Sequence, residues 1–210
     1  TLPGGDLMFA VGAQYRKDQS KTRLGLFTNL DGTPCRDTPI NGNMTCTPQS
    51  GALGFLGSNR EANLSGNVYA VFAELRAPLL DTLDLQVAAR YEDYGGNIGA
   101  TFDPKATLRW QAADWLAFRG SVGTTFRGPP LTTTTDGSSV SLQVIGTGFR
   151  AVEVFGDPNL KPESATTYNA GVLIDSGPFN ASLDYWRYEF AGPIESEPVS
   201  GLTNALFGAT

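Results

Sequence analysis

Hydrophobic and polar residues alternate without interruption along 83–93, LDLQVAARYED. Leu83, Leu85, Val87, Ala89 and Tyr91 share one parity, and Asp84, Gln86, Ala88, Arg90 and Glu92 the other. Successive side chains of a β-strand point to opposite faces, so this period of two predicts a strand with one apolar and one polar face. The pattern returns in TFDPKATLRWQ, where Phe102, Ala106, Leu108 and Trp110 oppose Asp103, Lys105, Thr107, Arg109 and Gln111. It returns again in WLAFRGSVGTTFR, with Leu116, Phe118, Val122 and Phe126 against Arg119, Ser121, Thr125 and Arg127. Weaker copies run at 7–16, 64–77, 164–176 and 179–190, so about seven strands are expected. Their length is roughly 10–13 residues, against about 5–6 for a strand in a soluble protein and about 9–11 for a tilted strand crossing a bilayer. Alternation suits a soluble sandwich equally well; length favours the membrane.

The links between the runs carry independent information. In chain order they are long (17–63), short (78–82), short (95–100), short (112–114), long (128–163) and short (176–178). The tight links PLLDT, AAD and SGP all follow even-numbered strands and fall at one end, while both very long links fall at the other. Bacterial outer-membrane barrels have this asymmetry, with short periplasmic turns and long extracellular loops. Tyr91, Phe102, Trp110, Trp115 and Phe126 gather toward strand ends, as the interfacial aromatic girdles of such barrels require. Four positions break the pattern. Phe72 and Leu173 sit on the polar parity, Arg187 on the apolar one, and Pro104 inside a strand, where proline marks an edge or a bulge. Single-chain bacterial barrels have an even strand number, and open edges in lipid would leave backbone groups unpaired. The expected architecture is therefore all-β: an antiparallel transmembrane β-barrel section that forms part of a larger wall.

Composition narrows the chemistry. A net charge of −6 argues against a nucleic-acid partner, which needs a basic patch. No run approaches the ~20 apolar residues of a spanning helix. The sequence opens on Thr1-Leu2-Pro3, so a signal peptide is expected to be absent, removed or upstream. Zero histidines removes Ser-His-Asp and Cys-His catalysis, and two cysteines without histidine do not complete a tetrahedral metal shell. Cys35 and Cys46 lie in the unpatterned loop PCRDTPINGNMTCTP. A disulfide, implying an oxidising compartment, is the favoured reading, and two free loop thiols are the alternative. No cofactor is expected.

Residues 155–172, FGDPNLKPESATTYNAGV, resemble the G-N-P-N-L-K-P-E-x-x-x-x-Y-x-x-G signature of TonB-dependent outer-membrane receptors. The match runs through Gly156, Pro158, Asn159, Leu160, Lys161, Pro162, Glu163, Tyr168 and Gly171, with Asp157 where the family has Asn. TTFRGPPL is similar to the family's G-F-R-A-P stretch through Phe126, Arg127 and Pro129, with Gly128 replacing Ala; VAARYEDYG and FDPKATLRWQAADWLAFRGSVGT resemble the hairpin before it. The resemblance implies a section, spanning 1–210, of one barrel of roughly 22 strands, with outer loops at about 17–63 and 128–163. The plug domain, the TonB box and the C-terminal strand are expected outside this sequence. It further implies energised uptake of a scarce nutrient or metal chelate through the bacterial outer membrane, and no enzyme activity. The implied partners are membrane lipid and lipopolysaccharide, the rest of the barrel and plug, TonB, and a small-molecule or chelate substrate.

Pro158 and Pro162 fix φ and bias the residues before them toward extended backbone, so the segment Pro158, Asn159, Leu160, Lys161, Pro162, Glu163 reads as a structural entry into the next strand. Glu74, Arg76, Arg90, Glu92, Asp103, Lys105, Arg109 and Arg119 are the expected lumen-facing charges, either contacting plug and substrate or pairing within the wall. Asp136, Arg150 and Glu153 are loop charges with nothing to mark them. The competing functions are a passive porin or adhesin-like outer-membrane β protein, and a soluble β-sandwich binding module. The sequence leaves the substrate open.

Overall fold

The computed structural model describes residues 1–46, 51–53, 60–135, 138–145 and 148–208. They divide into two compact units: Thr1–Lys17, Asn67–Pro129 and Lys161–Ile194 form one, and Asp18–Gly66, Pro130–Leu160 and Glu195–Thr210 the other.

The first unit is built on a seven-stranded antiparallel sheet. Its strands are β1 (Met8–Thr22), β2 (Ala62–Leu80), β3 (Leu83–Asp93), β4 (Ala100–Ala113), β5 (Leu116–Arg127), β8 (Glu163–Ser176) and β9 (Phe179–Ala191), hydrogen-bonded in the order β1-β2-β3-β4-β5-β8-β9. β1 and β2 outrun their alternating stretches, reaching Thr22 and starting at Ala62, so the first long link is shorter than 17–63. Beyond the apolar band, KDQSK is polar on both faces, and a ladder there leaves no periodic signal.

Register fixes the apolar face. Leu85, Leu108, Gly120, Ala170 and Tyr185 form one cross-strand row, and Val87, Ala106, Val122 and Tyr168 the next. Trp110 stacks on Phe118 across β4 and β5 with ring centroids 5.7 Å apart. These side chains are not buried: Leu108 is 42% and Val122 47% exposed, and the buried apolar residues of the unit are Val68 and the alanines Ala70, Ala77, Ala117 and Ala165. A single-layer sheet with an uncovered apolar face needs an apolar surrounding. Among the described residues no helix is long and apolar enough to cross a membrane. Pro104 is accommodated in central β4 because the β4–β5 ladder stops at Lys105, while Pro104 faces Ala89 on β3.

The second unit holds the long links. The sequence pattern missed a separate hairpin, β6 (Ser138–Ile145) with β7 (Gly148–Phe155), and the helix α2 (Val199–Phe207). Thr133 and Thr134 sit in a turn: Thr133 Oγ1 donates to the Pro130 carbonyl (2.8 Å) and Thr134 Oγ1 to that of Leu131 (3.1 Å). In the first long link Cys35 and Cys46 form the disulfide, with Cα atoms 5.8 Å apart. Thr33 and Cys35 are both fully buried, and the closed loop contains the short helix α1 (Thr38–Asn41). Thr38 Oγ1 accepts from the Cys35 amide (2.9 Å) and donates to the Asn43 carbonyl (2.5 Å). Cys35→Ser with Cys46→Ser is expected to cost the loop at most about 3 kcal/mol in the loop-entropy model. Without reductant, intact mass after alkylation should show no added label.

Asp37 caps the same loop, accepting from Asn41 Nδ2 (2.8 Å) and Asn43 Nδ2 (3.1 Å). These bonds hold its carboxyl below the ordinary range, Asn41 first and Asn43 second. A depressed carboxyl contributes stability above its unfolded value and loses it as pH falls through the folded one. Amide exchange in 37–43 should therefore be flat around neutrality, apart from intrinsic exchange chemistry, and show added opening only below about pH 4.

Candidate functional site

The polar face of the sheet collects the charges. Phe72, Arg90 and Asp103 occupy one cross-strand row; Arg76, Gln86, Thr107 and Ser121 another; Asp84, Arg109 and Arg119 a third. Glu74 faces Ala88, which faces Lys105, and Glu92 faces Thr101. All eight charged residues singled out by pattern thus share one face. Most are engaged within the wall. Arg76 Nε bonds Asp84 (2.8 Å), and Arg119 grips Asp184 through two bonds, 2.8 and 2.5 Å. Arg90 holds Glu92 with two bonds, 2.8 and 2.5 Å, and reaches Gln14 at 2.7 Å, while Arg16 lies 3.5 Å from Glu92. Asp184, Gln14 and Arg16 are not singled out by the pattern, and the pairing of Asp84 is not either, because alternation gives parity but not register.

Glu92 is the buried member, 3% exposed. The Tyr94 hydroxyl bonds the same carboxylate, and burial first, then the Glu92 bond and charge, push that phenol up to about 12 against the pull of Arg16. Tyr94 therefore stays protonated at any working pH. Beside them Thr101 Oγ1 and Asp103 Oδ2 are buried without a hydrogen-bond partner among the described residues. The residues that broke the alternation have specific surroundings. Phe72 lays its ring over Gly12 of β1, where a Cβ would overlap it. Leu173 lines a cavity with Trp115, and Arg187 pairs with Glu189 on its own strand at 2.6 Å.

At the long-link end, the separate signature blocks interlock. Glu163 opens β8 and forms an ion pair with Arg127, the last residue of β5, which faces it in the ladder. The Ile194 amide also donates to Glu163 (3.2 Å). Lys161 Nζ donates to the Asn97 carbonyl in the β3–β4 turn. Tyr94, from that turn, packs edge-on to Phe126 (6.2 Å) and covers Gly128, where a Cβ would lie 2.5 Å from Tyr94 Cζ. Glycine rather than alanine at 128 is what admits Tyr94. Asp157 accepts from the Asn159 amide through Oδ1 (2.8 Å), a turn bond that an Asn side chain would also make.

Gly171, last residue of the signature, lies under the Arg119–Asp184 pair: a Cβ there would sit 3.0 Å from Arg119 Nε and closer still to the Asp184 carboxylate. Gly171→Ala is expected to separate the pair at a small cost, because both partners are partly exposed. In a double-mutant cycle with Asp184→Ala the two losses should be less than additive; full additivity would show that the glycine serves another purpose.

Among the loop charges, Asp136 lies outside the described residues; Arg150 faces Gln143 and Glu153 faces Val140 in the β6–β7 hairpin. Among the described residues no three acidic or thiol side chains converge as a metal site.

With this geometry in hand, comparisons with known proteins are specific. The family model described as TonB dependent receptor-like, beta-barrel, matches residues 1–210. The iron-regulated outer membrane virulence protein of Vibrio cholerae is 27% identical over 191 residues, 86% of this chain and 28% of the relative. The probable TonB-dependent siderophore receptor PirA of Acinetobacter baumannii is 21% identical over 144 residues, 66% of this chain and 19% of the relative. The chain thus spans less than a third of the length of either relative. Among solved structures, a mutant of the ferric enterobactin receptor PfeA of Pseudomonas aeruginosa superposes with TM-score 0.65 at 17% identity, over 88% of this chain and 24% of that one. PirA of Acinetobacter baumannii gives 0.63 at 16% identity, with the same coverages.

Proposed function

Because the chain belongs to the TonB-dependent receptor-like β-barrel family, we propose that it is a wall section of an outer-membrane receptor for energised uptake of an iron chelate. The observation that carries the reading is the two-faced register of β2–β5: it gathers Glu74, Arg76, Arg90, Glu92, Asp103, Lys105, Arg109 and Arg119 on one side and Leu85, Val87, Leu108 and Val122 on the other. In that reading the apolar side meets lipid and lipopolysaccharide, and the charged side is the wet lumen. The long links form the outer, substrate-facing mouth; the interlocked Lys161, Glu163, Arg127 and Tyr94 set the height at which β8 enters the wall. Plug, TonB contact and the remaining strands lie in the rest of the receptor, where energy would be delivered. Iron is favoured as cargo because one relative is named as iron-regulated and others as siderophore receptors. A passive pore is not favoured by this kinship, and the family is one of transport receptors rather than enzymes.

The test is uptake by cells lacking the full-length gene, supplied with radioactive iron as ferric catecholate, hydroxamate or citrate. Loss of accumulation for one chelate, restored by the gene and abolished by a protonophore, is expected. Unchanged uptake of every chelate would reject the iron reading, and protonophore-insensitive leakage would favour a passive pore.

A further inference from the structure

One cation on the polar face forms no ion pair among the described residues and borders a cavity. Asp84, Arg109, Arg119, Gly171 and Asp184 stand in a single cross-strand row. Both carboxylates of the row are engaged, Asp84 by Arg76 and Asp184 by Arg119. Arg109 lies between them, directly opposite Arg119, an arrangement of like charges that weakens a sheet. Its hydrogen bond is to a neutral group, the Gln111 amide oxygen at 2.7 Å. That amide is itself held in place, because Gln111 Nε2 donates to the Ala113 carbonyl at 2.8 Å. A guanidinium offers five N–H donors in a fork that fits a carboxylate, so most of its donor capacity is left over. Lys105, four residues earlier on the same face, also forms no ion pair among the described residues, but it faces Gly123 rather than a second cation.

The space beside Arg109 is a cavity of about 680 Å³ at the end of the sheet that carries the β4–β5 and β8–β9 turns. Asn180 and Ser182 supply polar walls, and Leu173 and Trp115 an apolar one. Asp114 and Asp175 also line it, and neither forms an ion pair with Arg109.

We infer that Arg109 anchors a carboxylate-binding site at the short-turn end of the polar face, with Asn180 and Ser182 as flanking polar groups. This goes beyond uptake and does not depend on what is transported. The carboxylate has two sources: an Asp or Glu side chain from the receptor's own chain beyond these 210 residues, or a dissolved carboxylate.

The experiment uses the full-length receptor with R109K, treated in detergent with a water-soluble carbodiimide and mapped by peptide mass spectrometry. The carbodiimide activates a carboxylate, the introduced amine in contact with it forms the amide, and the elements of water leave with the reagent as its urea. A cross-link to an acidic residue outside the 210 supports the site and identifies an internal occupant. Coupling to citrate, seen only when millimolar citrate is added, supports the site with a dissolved occupant. A cross-link to Asp114 or Asp175 alone, or no product in either sample, overturns it. Should R109K fail to fold, the unmodified receptor is labelled with phenylglyoxal instead. Arg109 is then expected to react roughly tenfold more slowly than Arg36, an exposed loop arginine, with or without citrate according to source; equal rates in both samples overturn the site.

Discussion

Arginine at Val122 is expected to cost about 2–4 kcal/mol of wall stability in a bilayer, whereas arginine at Ser121, one residue away, should cost well under half of that. The two positions differ only in face. Val122 shares a cross-strand row with Val87, Ala106 and Tyr168, and Ser121 shares one with Gln86, Thr107 and Asn169. Leu85, Val87 and Leu108 should behave like Val122; Gln86 and Thr107 like Ser121. The measurement is the denaturant midpoint of the full-length receptor refolded into vesicles, combined with location. Single cysteines at Val87 and Gln86 are exposed to a lipid-soluble and a water-soluble thiol reagent. Reaction of the first with the lipid-soluble reagent, and of the second with the water-soluble one, is expected. Equal preference at both sites would refute the assignment of faces, because a dry sandwich core protects its apolar parity from both reagents.

Replacing Glu92 by alanine should be the most damaging change on the polar face, at roughly 2–3 kcal/mol. The carboxylate is buried against two guanidiniums and a phenol, and its removal leaves Arg16 and Arg90 facing each other. The loss is bounded from above because both arginines are partly exposed and regain water. Glu92→Gln keeps the shape and removes the charge, and it should recover only part of the loss. Salt separates the causes. The defect of the alanine variant should shrink as ionic strength screens the two arginines. A salt-independent defect would assign the role of Glu92 to packing.

What was legible in the sequence follows from what a period of two encodes. Parity put Glu74, Arg76, Arg90, Glu92, Asp103, Lys105, Arg109 and Arg119 on a common face, and the ladders agree. Partner choice was not legible. Arg119 and Asp184 are 65 residues apart and Lys161 and Asn97 are 64, and a shift of two residues would preserve every parity while breaking both contacts. The β6–β7 hairpin escaped notice because it follows a threonine run and is short, so its alternation looks like loop composition. Phe72 and Leu173 defied the pattern for a further reason. A neighbouring strand can lower a side chain's cost on a wet face by offering a glycine or an apolar rim, and the periodicity of one strand carries no record of its neighbours.

The excursion between Arg127 and Glu163 also bears on the order of assembly. These residues face each other in adjacent strands, yet 35 residues, 128–162, separate them along the chain. The other tight hairpins of the sheet can zip locally, but β5 and β8 must meet by closing this loop, whose entropic cost rises with the logarithm of its length. If β6 and β7 pair first, the 18 residues 138–155 cease to count as free chain, leaving about half. Halving a flexible loop lowers the closure cost by about 0.6 kcal/mol, close to a threefold gain in the closing rate. The small hairpin in the outer link would then act as a folding aid, shortening the search by which the two halves of the wall find one another.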